Sequence, residues 1–561
     1  MRKNCSPANH VLIAVLAGSF ALYLFAVTPD NFGFYHDDSL YAVSAKALAT
    51  GQGYRVISLP GNPVQTKSPP AYPFLLSLIW RIYPSFPENV KVMMVLSVLA
   101  TLASLTIAWA YLTRRGYASR PLAMCVLVLT ALNWRTLAVG TALFAEMFYA
   151  ALSIAALYLA EQYDRAERKW LAGAGLGLLL GLAFLTRTAG ITLLIAVAAF
   201  FVMRKQTRRG LLPIAIAVCF VLAWVGWSYA NRPGTEGLNT AYHESYIQTF
   251  DRVLTEFQSH NHVSRASAIL SVVGKNAWRL IPVSIPLVCL GMKYEWPASM
   301  GENWFLPIVG LILFVFVLTV AAFLRLFRGG LKNIPLLPIY LTVYLIFHLA
   351  WPYYGHDRFL IPLLPFLLAF LIGELERLRG MVVKELTERA DLGRMMSAGL
   401  IGLALLGIAS IGLYNYGLGL KRSLIQTKKD AAMRTSEDIE AIRWINANTD
   451  PSDVLVCARD PMYYLYTERQ ATMTSSLTEG GKMDHDAIDA EERSSEIMRI
   501  VYENRARYLI LTSSELDPED QDDPYHIAFA TLPDRNPSVF VPVFRSSIGR
   551  GAIYRIDLEA R

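Results

Sequence analysis

Long apolar runs separated by short polar, mostly basic connections recur from residue 10 to residue 416, and after about residue 417 the pattern changes to short alternating and amphipathic stretches. A helix crossing the hydrocarbon needs roughly 20 mostly apolar residues, and by that measure the chain offers about eleven spans. Their approximate positions are 10–27, 90–112, 120–138, 142–160, 171–186, 188–203, 211–230, 304–324, 333–351, 358–376 and 395–416. The segment 279–293 is apolar but short and carries two prolines, so it reads either as a re-entrant or interfacial helix or as a further span.

Beyond residue 417 the periodicities are those of a soluble domain. TSEDIEAIRWINANT reads as a helix with Thr435 as N-cap candidate, DVLVCA and RYLILTS as buried strands, the region around 495–504 as a helix, and FVPVF with AIYRI as a hairpin. The division expected is therefore a membrane domain over 1–416, with large loops at 28–89 and 231–303, and a soluble α/β domain over 417–561.

Composition agrees with this class. Of 561 residues, 54% are hydrophobic and 17% charged, with a mean hydropathy of +0.35, too apolar for one soluble core. Lys and Arg accumulate on the cytoplasmic side of membranes, and Arg2/Lys3, Arg114/Arg115/Arg120, Arg165/Arg168/Lys169, Arg204/Lys205/Arg208/Arg209, Arg325/Arg328/Lys332 and Arg377/Arg379/Lys384 fall on one side of the expected topology. The amino terminus is then cytoplasmic, and the loops at 28–89 and 231–303 share the opposite face with the soluble domain. This topology accounts for the net charge of +7 without a nucleic-acid partner. The first apolar run has no small-residue cleavage site after it and reads as a retained anchor. Five cysteines form no disulfide framework or metal motif.

Carboxylates at a membrane border are functional candidates because charge is expensive there. Asp37 and Asp38 follow the first span, and Glu146 lies in the first turn of the fourth, all on the extracytoplasmic border. Taken singly they fit a solvated loop and a helix-dipole partner equally well. The acidic pair, however, opens the segment DDSLYAVSAKALATGQGYRVISLPGNPVQTKSPPAYPFLLSLIWRIYP, which reads as an amphipathic helix, a Gly/Pro-rich turn reaching Lys67, and a second short helix.

This segment resembles the first extracytoplasmic loop of the GT-C glycosyltransferases, the superfamily of protein O-mannosyltransferases and lipid A aminoarabinose transferases. GTALFAEMFYAALSIAALYLAE, GLLLGLAFLTRTAG and HDRFLIPLLPFLLAF extend the resemblance along the chain. It implies a polytopic GT-C-like helical fold with a soluble C-terminal α/β domain. It also implies Asp37 as the loop acid acting as general base or site anchor, with Asp38 and Glu146 as further catalytic carboxylates. Lys67 matches the lysine that meets the lipid phosphate in the aminoarabinose transferases. Thr66 stands where those enzymes have Glu, which leaves the use of a divalent metal open; no cofactor is otherwise implied.

The chemistry implied is transfer of a sugar from a polyprenyl-phosphate donor to a hydroxyl of a lipid, glycan or protein acceptor, with inversion at the anomeric carbon. Cations stabilise a phosphate leaving group, and Lys67, Arg187 and Arg358 are the candidates; the two arginines also fit as snorkelling side chains at helix ends. A carboxylate takes the proton of the acceptor hydroxyl. Tyr72, His243 and His356 are candidate substrate contacts, although aromatic belts and structural histidines explain such residues too. The expected location is a bacterial inner membrane with the active face towards the periplasm. The alternatives are a transporter or flippase, which would also place ionisable groups at helix ends, and a ligase using a lipid-linked oligosaccharide.

Overall fold

The computed structural model describes residues 7–163, 167–232, scattered positions between 248 and 258, and 262–292, 302–327, 334–351, 356–387, 392–472, 490–513, 515, 524–548 and 551–559. Among these the membrane part is built from α1 (Pro7–Ala26), α2 (Asp37–Ala49), α3 (Ala71–Ile82), α4 (Glu88–Arg114), α5 (Arg120–Leu132), α6 (Trp134–Thr141), α7 (Glu146–Gln162), α8 (Lys169–Thr186), α9 (Gly190–Met203) and α10 (Thr207–Ala230). It continues with α11 (Arg265–Arg279), α12 (Ile285–Cys289), α13 (Glu302–Arg325), α14 (Leu336–Leu349), α15 (His356–Leu360), α16 (Leu364–Thr387) and α17 (Leu392–Lys421).

Each of the eleven expected spans coincides with helix, but six helices among the described residues are long and apolar enough to cross a membrane, or seven if the bent α5–α6 pair is one span. Three of the differences are α7, α9 and α14, which run for 17, 14 and 14 residues; the bent α5–α6 pair is a fourth, and α17 is not among the six. The first three are shorter than the roughly 20 residues a membrane crossing needs.

The expected span 120–138 is broken by 62° between α5 and α6, and Asn133 is the reason. Its side-chain oxygen accepts from the backbone N–H groups of Arg135 (3.0 Å) and Thr136 (3.4 Å), capping α6. Its amide nitrogen donates to the Val288 carbonyl at 2.9 Å and to Tyr416 Oη at 3.3 Å. A second asparagine, Asn276 on α11, donates to the Leu349 and Trp351 carbonyls at 2.9 and 2.7 Å. The apolar stretch between these anchors, a π-turn at Leu280–Ser284 followed by α12, is packed into the helical core and is too short to span.

The carboxy-terminal region contains α18 (Thr427–Asn448), β1 (Leu455–Val456), α19 (Asp460–Thr467), β2 (Ala471–Thr472), α20 (Ala490–Glu503), β3 (Tyr508–Leu511), α21 (Pro524–Arg535), β4 (Phe540–Arg545) and β5 (Ala552–Ile556). The strands form one sheet in the order β2-β1-β3-β5-β4, parallel on the β2-β1-β3 side and antiparallel at the β5–β4 hairpin. The expected strands and hairpin are present. Thr435 is not an N-cap: α17, a π-turn at Arg422–Gln426 and α18 follow one another without a break, so Thr435 lies inside a helix that also runs through the expected 416/417 boundary.

The sheet region packs on the first loop. The Ala471 N–H donates to the Ser58 carbonyl at 2.8 Å, and Gln470 Nε2 donates to the Leu59 carbonyl and Asn62 Oδ1 at 3.0 and 2.8 Å. Lys46 pairs with Glu468 at 3.1 Å. A side chain at Gly33, where φ is +87°, would collide with Met462 of α19 at 2.5 Å.

Candidate active site

The loop acid Asp37 is the first residue of α2, where a negative charge is favoured by the helix dipole. Its side chain is 41% exposed and binds Arg358 Nη2 at 2.8 Å. Burial would raise its pKa, but the charge and hydrogen bond of Arg358, helped by His36 and Arg187, hold the Asp37 carboxyl below the usual carboxylate range. It is therefore ionised at neutral pH and able to accept a proton.

Glu146 opens α7, is fully buried, and uses a single oxygen, Oε1, to contact both Arg187 and Arg358. Its other oxygen, Oε2, is buried without a hydrogen-bond partner. Arg187 follows the last residue of α8 in extended backbone, a helix end at which a cation is favoured. Arg358 lies in α15, with its guanidinium 4.1 Å over the Phe144 ring, and Arg187 lies 5.5 Å over Phe359. Four side chains from four elements thus form one chain, Asp37–Arg358–Glu146–Arg187, with two positive and two negative charges. A buried charge requires such pairing.

Asp38 is separated from this chain. Although expected beside Asp37 as a catalytic carboxylate, it is buried and turned into the loop, where its two oxygens accept from the Gly33 N–H at 3.0 Å and the Ser39 N–H at 2.6 Å. Burial pushes its pKa up to about 7 despite these bonds. Tyr72, expected to contact substrate, is also buried: its hydroxyl meets Ser97 Oγ at 3.0 Å and its ring packs edge-on with Tyr41. His243 lies outside the described residues; His356 begins α15, and its side chain is likewise outside them.

Lys67 sits on a clamped turn. Its N–H and that of Ser68 donate to the buried Gln65 Oε1 at 2.9 and 3.2 Å. Trp227 and Ser228 at the end of α10 donate to the Gln65 and Thr66 carbonyls, both at 3.1 Å. The Lys67 ammonium acts electrostatically on His36, the residue before Asp37.

Known proteins match this chain in one segment and in overall fold. Residues 67–228, which include Lys67, Glu146 and Arg187, match the sequence profile of the dolichyl-phosphate-mannose-protein mannosyltransferase family. The archaeal oligosaccharyltransferase AglB from Archaeoglobus fulgidus, in complex with an inhibitory peptide and a dolichol-phosphate, superposes with a TM-score of 0.53 at 12% identity, over 98% of this chain and 74% of that one. An Archaeoglobus fulgidus oligosaccharyltransferase in complex with Zn and sulfate gives 0.53 at 13% identity, over 97% and 74%. ArnT from Cupriavidus metallidurans in the apo state gives 0.51 at 14% identity, over 98% of both chains. No curated protein matches by sequence.

Residues 67–228 thus resemble that mannosyltransferase family, and the chain as a whole shares a fold with ArnT and AglB. The arginine-rich site is suited to a phosphate. The residues do not fit a resident metal as well. Asp37 and Glu146 are each matched to guanidinium groups, and among the described residues no three His, Cys, Asp or Glu side chains come together to hold an ion.

A second ion pair, which sequence reasoning missed, lies next to Arg358. Arg135, the second residue of α6, binds Asp357, and its guanidinium covers Trp134 at 4.1 Å. Arg135 falls within the expected span 120–138, and a charge inside an apolar run is itself a signal of function.

Proposed function

We propose that this chain is a GT-C glycosyltransferase that moves a sugar from a polyprenyl-phosphate donor to an acceptor hydroxyl at its extracytoplasmic face, with inversion. The observation that carries the reading is the contact between the exposed loop acid Asp37 and Arg358, which is itself bound to Glu146. It sets a proton acceptor beside the cations that would hold a leaving phosphate.

In this reading the phosphate lies against Arg358, Arg187 and Lys67, whose charges stabilise the negative charge that grows on the bridging oxygen as its bond to the anomeric carbon breaks. The acceptor oxygen attacks that carbon from the opposite side while Asp37 takes its proton. One bond to the anomeric carbon forms and one breaks, and the lipid departs as polyprenyl phosphate. Glu146 keeps the two arginines apart and oriented, and its unpartnered Oε2 is free to accept a hydroxyl of the bound sugar.

The dolichol-phosphate in the AglB complex supports a lipid phosphate as ligand of this fold. The basic loops of one face, and the packing of the sheet region on the first loop, support an extracytoplasmic site. The test is incubation of the purified chain in vesicles with dolichyl-phosphate mannose and native membrane extract. Release of dolichyl phosphate is expected. Counterflow of the intact donor without its consumption would favour transport instead.

A further inference from the structure

The residue before the loop acid has a backbone that ordinary side chains avoid. His36 has φ +56° and ψ −53°, and the Asp37 N–H donates back to the Tyr35 carbonyl at 2.5 Å, so Tyr35–His36–Asp37 is a γ-turn of the rare positive-φ kind. Strained backbone of this sort persists only where the surroundings over-determine it. Here the His36 carbonyl accepts from the Leu40 N–H at 3.0 Å and from Ser39 Oγ at 2.9 Å, which fixes the turn to α2.

The ring of the same histidine is held from the other end of the chain. His36 Nε2 lies 3.4 Å from Asp460 Oδ1, 424 residues away, at the start of α19. The Asp460 side chain is fully buried, and its second oxygen accepts from Ser58 Oγ at 3.5 Å. Arg459, its neighbour, covers the Phe34 ring at 5.1 Å, two residues before His36. Asp460 therefore ties two points of the first loop, His36 and Ser58, to the sheet region.

We propose that Asp460 is a positioning residue of the transfer site: by holding the His36 ring it keeps the strained turn closed and aims Asp37 at Arg358. The sheet region then completes the catalytic loop from outside the membrane bundle. The inference rests on Asp37 being the acid of the proposed transfer, but the geometry it describes has its own readout.

That readout is the accessibility of position 37. In an Asp37→Cys chain with native cysteines retained and their background subtracted, labelling by a membrane-impermeant maleimide should accelerate at least about fivefold when Asp460→Ala is added, as the loop opens locally. Asp460→Asn, which keeps a hydrogen-bonding side chain of the same size, should label close to the Asp460 chain. His36→Gly, which tolerates the backbone but lacks the ring, should accelerate labelling too and decides the matter alone if Asp460→Ala does not reach the membrane. With Asp37 restored, Asp460→Ala should lower donor-lipid turnover in membranes about a hundredfold, the scale of a small misplacement of a reacting group, and Asp460→Asn should recover most of it. Equal labelling in the Asp460, Ala and Asn chains would overturn the proposal whatever the activity. Faster labelling, together with no donor-lipid consumption by the wild-type chain that retains Asp37, would uphold the positioning and overturn the transfer reading.

Discussion

The Glu146 carboxylate and the Arg358 guanidinium, 212 residues apart in the chain, are in direct contact in a region the sequence places at a membrane border. Arg187 meets the same carboxylate oxygen. Glu146→Gln would leave two arginines facing each other with their shared counter-charge gone. Removing one partner of a buried ion pair costs about 3–5 kcal/mol. The variant should therefore both unfold at lower temperature in detergent and turn over donor more slowly, and wild-type values of both would return Glu146 to a minor role.

Arg358→Ala should free Asp37 as well as remove a phosphate ligand, whereas Lys67→Ala removes a cation from a turn whose backbone is held by Gln65, Trp227 and Ser228. Charge-assisted hydrogen bonds contribute about 1.5–3 kcal/mol, so loss of either cation should weaken binding of dolichyl phosphate by about tenfold or more. Affinity measured with the labelled lipid phosphate in nanodiscs checks this. Unchanged affinity in both variants would take the pair out of the phosphate site.

Stability should depend on pH in a way that separates the two loop acids. Asp38 is raised by burial from an ordinary 3.8 to about 7, and Glu515 from 4.5 to about 7, so both hold protons in the folded chain that the unfolded chain has released. The stability they contribute is complete below about pH 4 and is lost as pH rises through about 7. His36, lowered by burial to about 4, acts in the opposite sense: its contribution is present above about 6.5 and is lost as pH falls towards 4. Thermal unfolding followed from pH 4 to 9 should show a fall between about pH 4 and 7 that levels off above about 7 and that Asp38→Asn makes shallower. An unaltered slope in that variant would contradict the assignment. Asp37, held below the usual range, should add nothing to this slope.

Much of this architecture is legible in the chain. The helical segments, the loop bearing Asp37 and Lys67, and the strands DVLVCA and RYLILTS follow from periodicity and charge, because those patterns record local burial. What is not legible is rotation and long-range contact. Asp37 and Asp38 are adjacent in sequence, but successive residues of a helix point about 100° apart, which is enough to send one to Arg358 and the other into the loop. Asn133 could have been read as a break, since an asparagine in an apolar run is a ready cap. The Asp460 contact with His36 gives no local signal at all, because its partners lie 424 positions apart and neither belongs to a motif.

The central claim is that Asp37 takes the acceptor's proton during sugar transfer. Membranes from cells making the wild type or Asp37→Asn should be compared by lipid mass spectrometry for consumption of polyprenyl-phosphate sugars. Loss of a general base costs about a hundredfold to ten-thousandfold in rate, and the partly exposed Asp37 side chain makes the substitution compatible with the fold. One donor should be consumed, with release of polyprenyl phosphate, in the wild-type membranes alone. Equal consumption by the Asp37→Asn membranes would contradict the account.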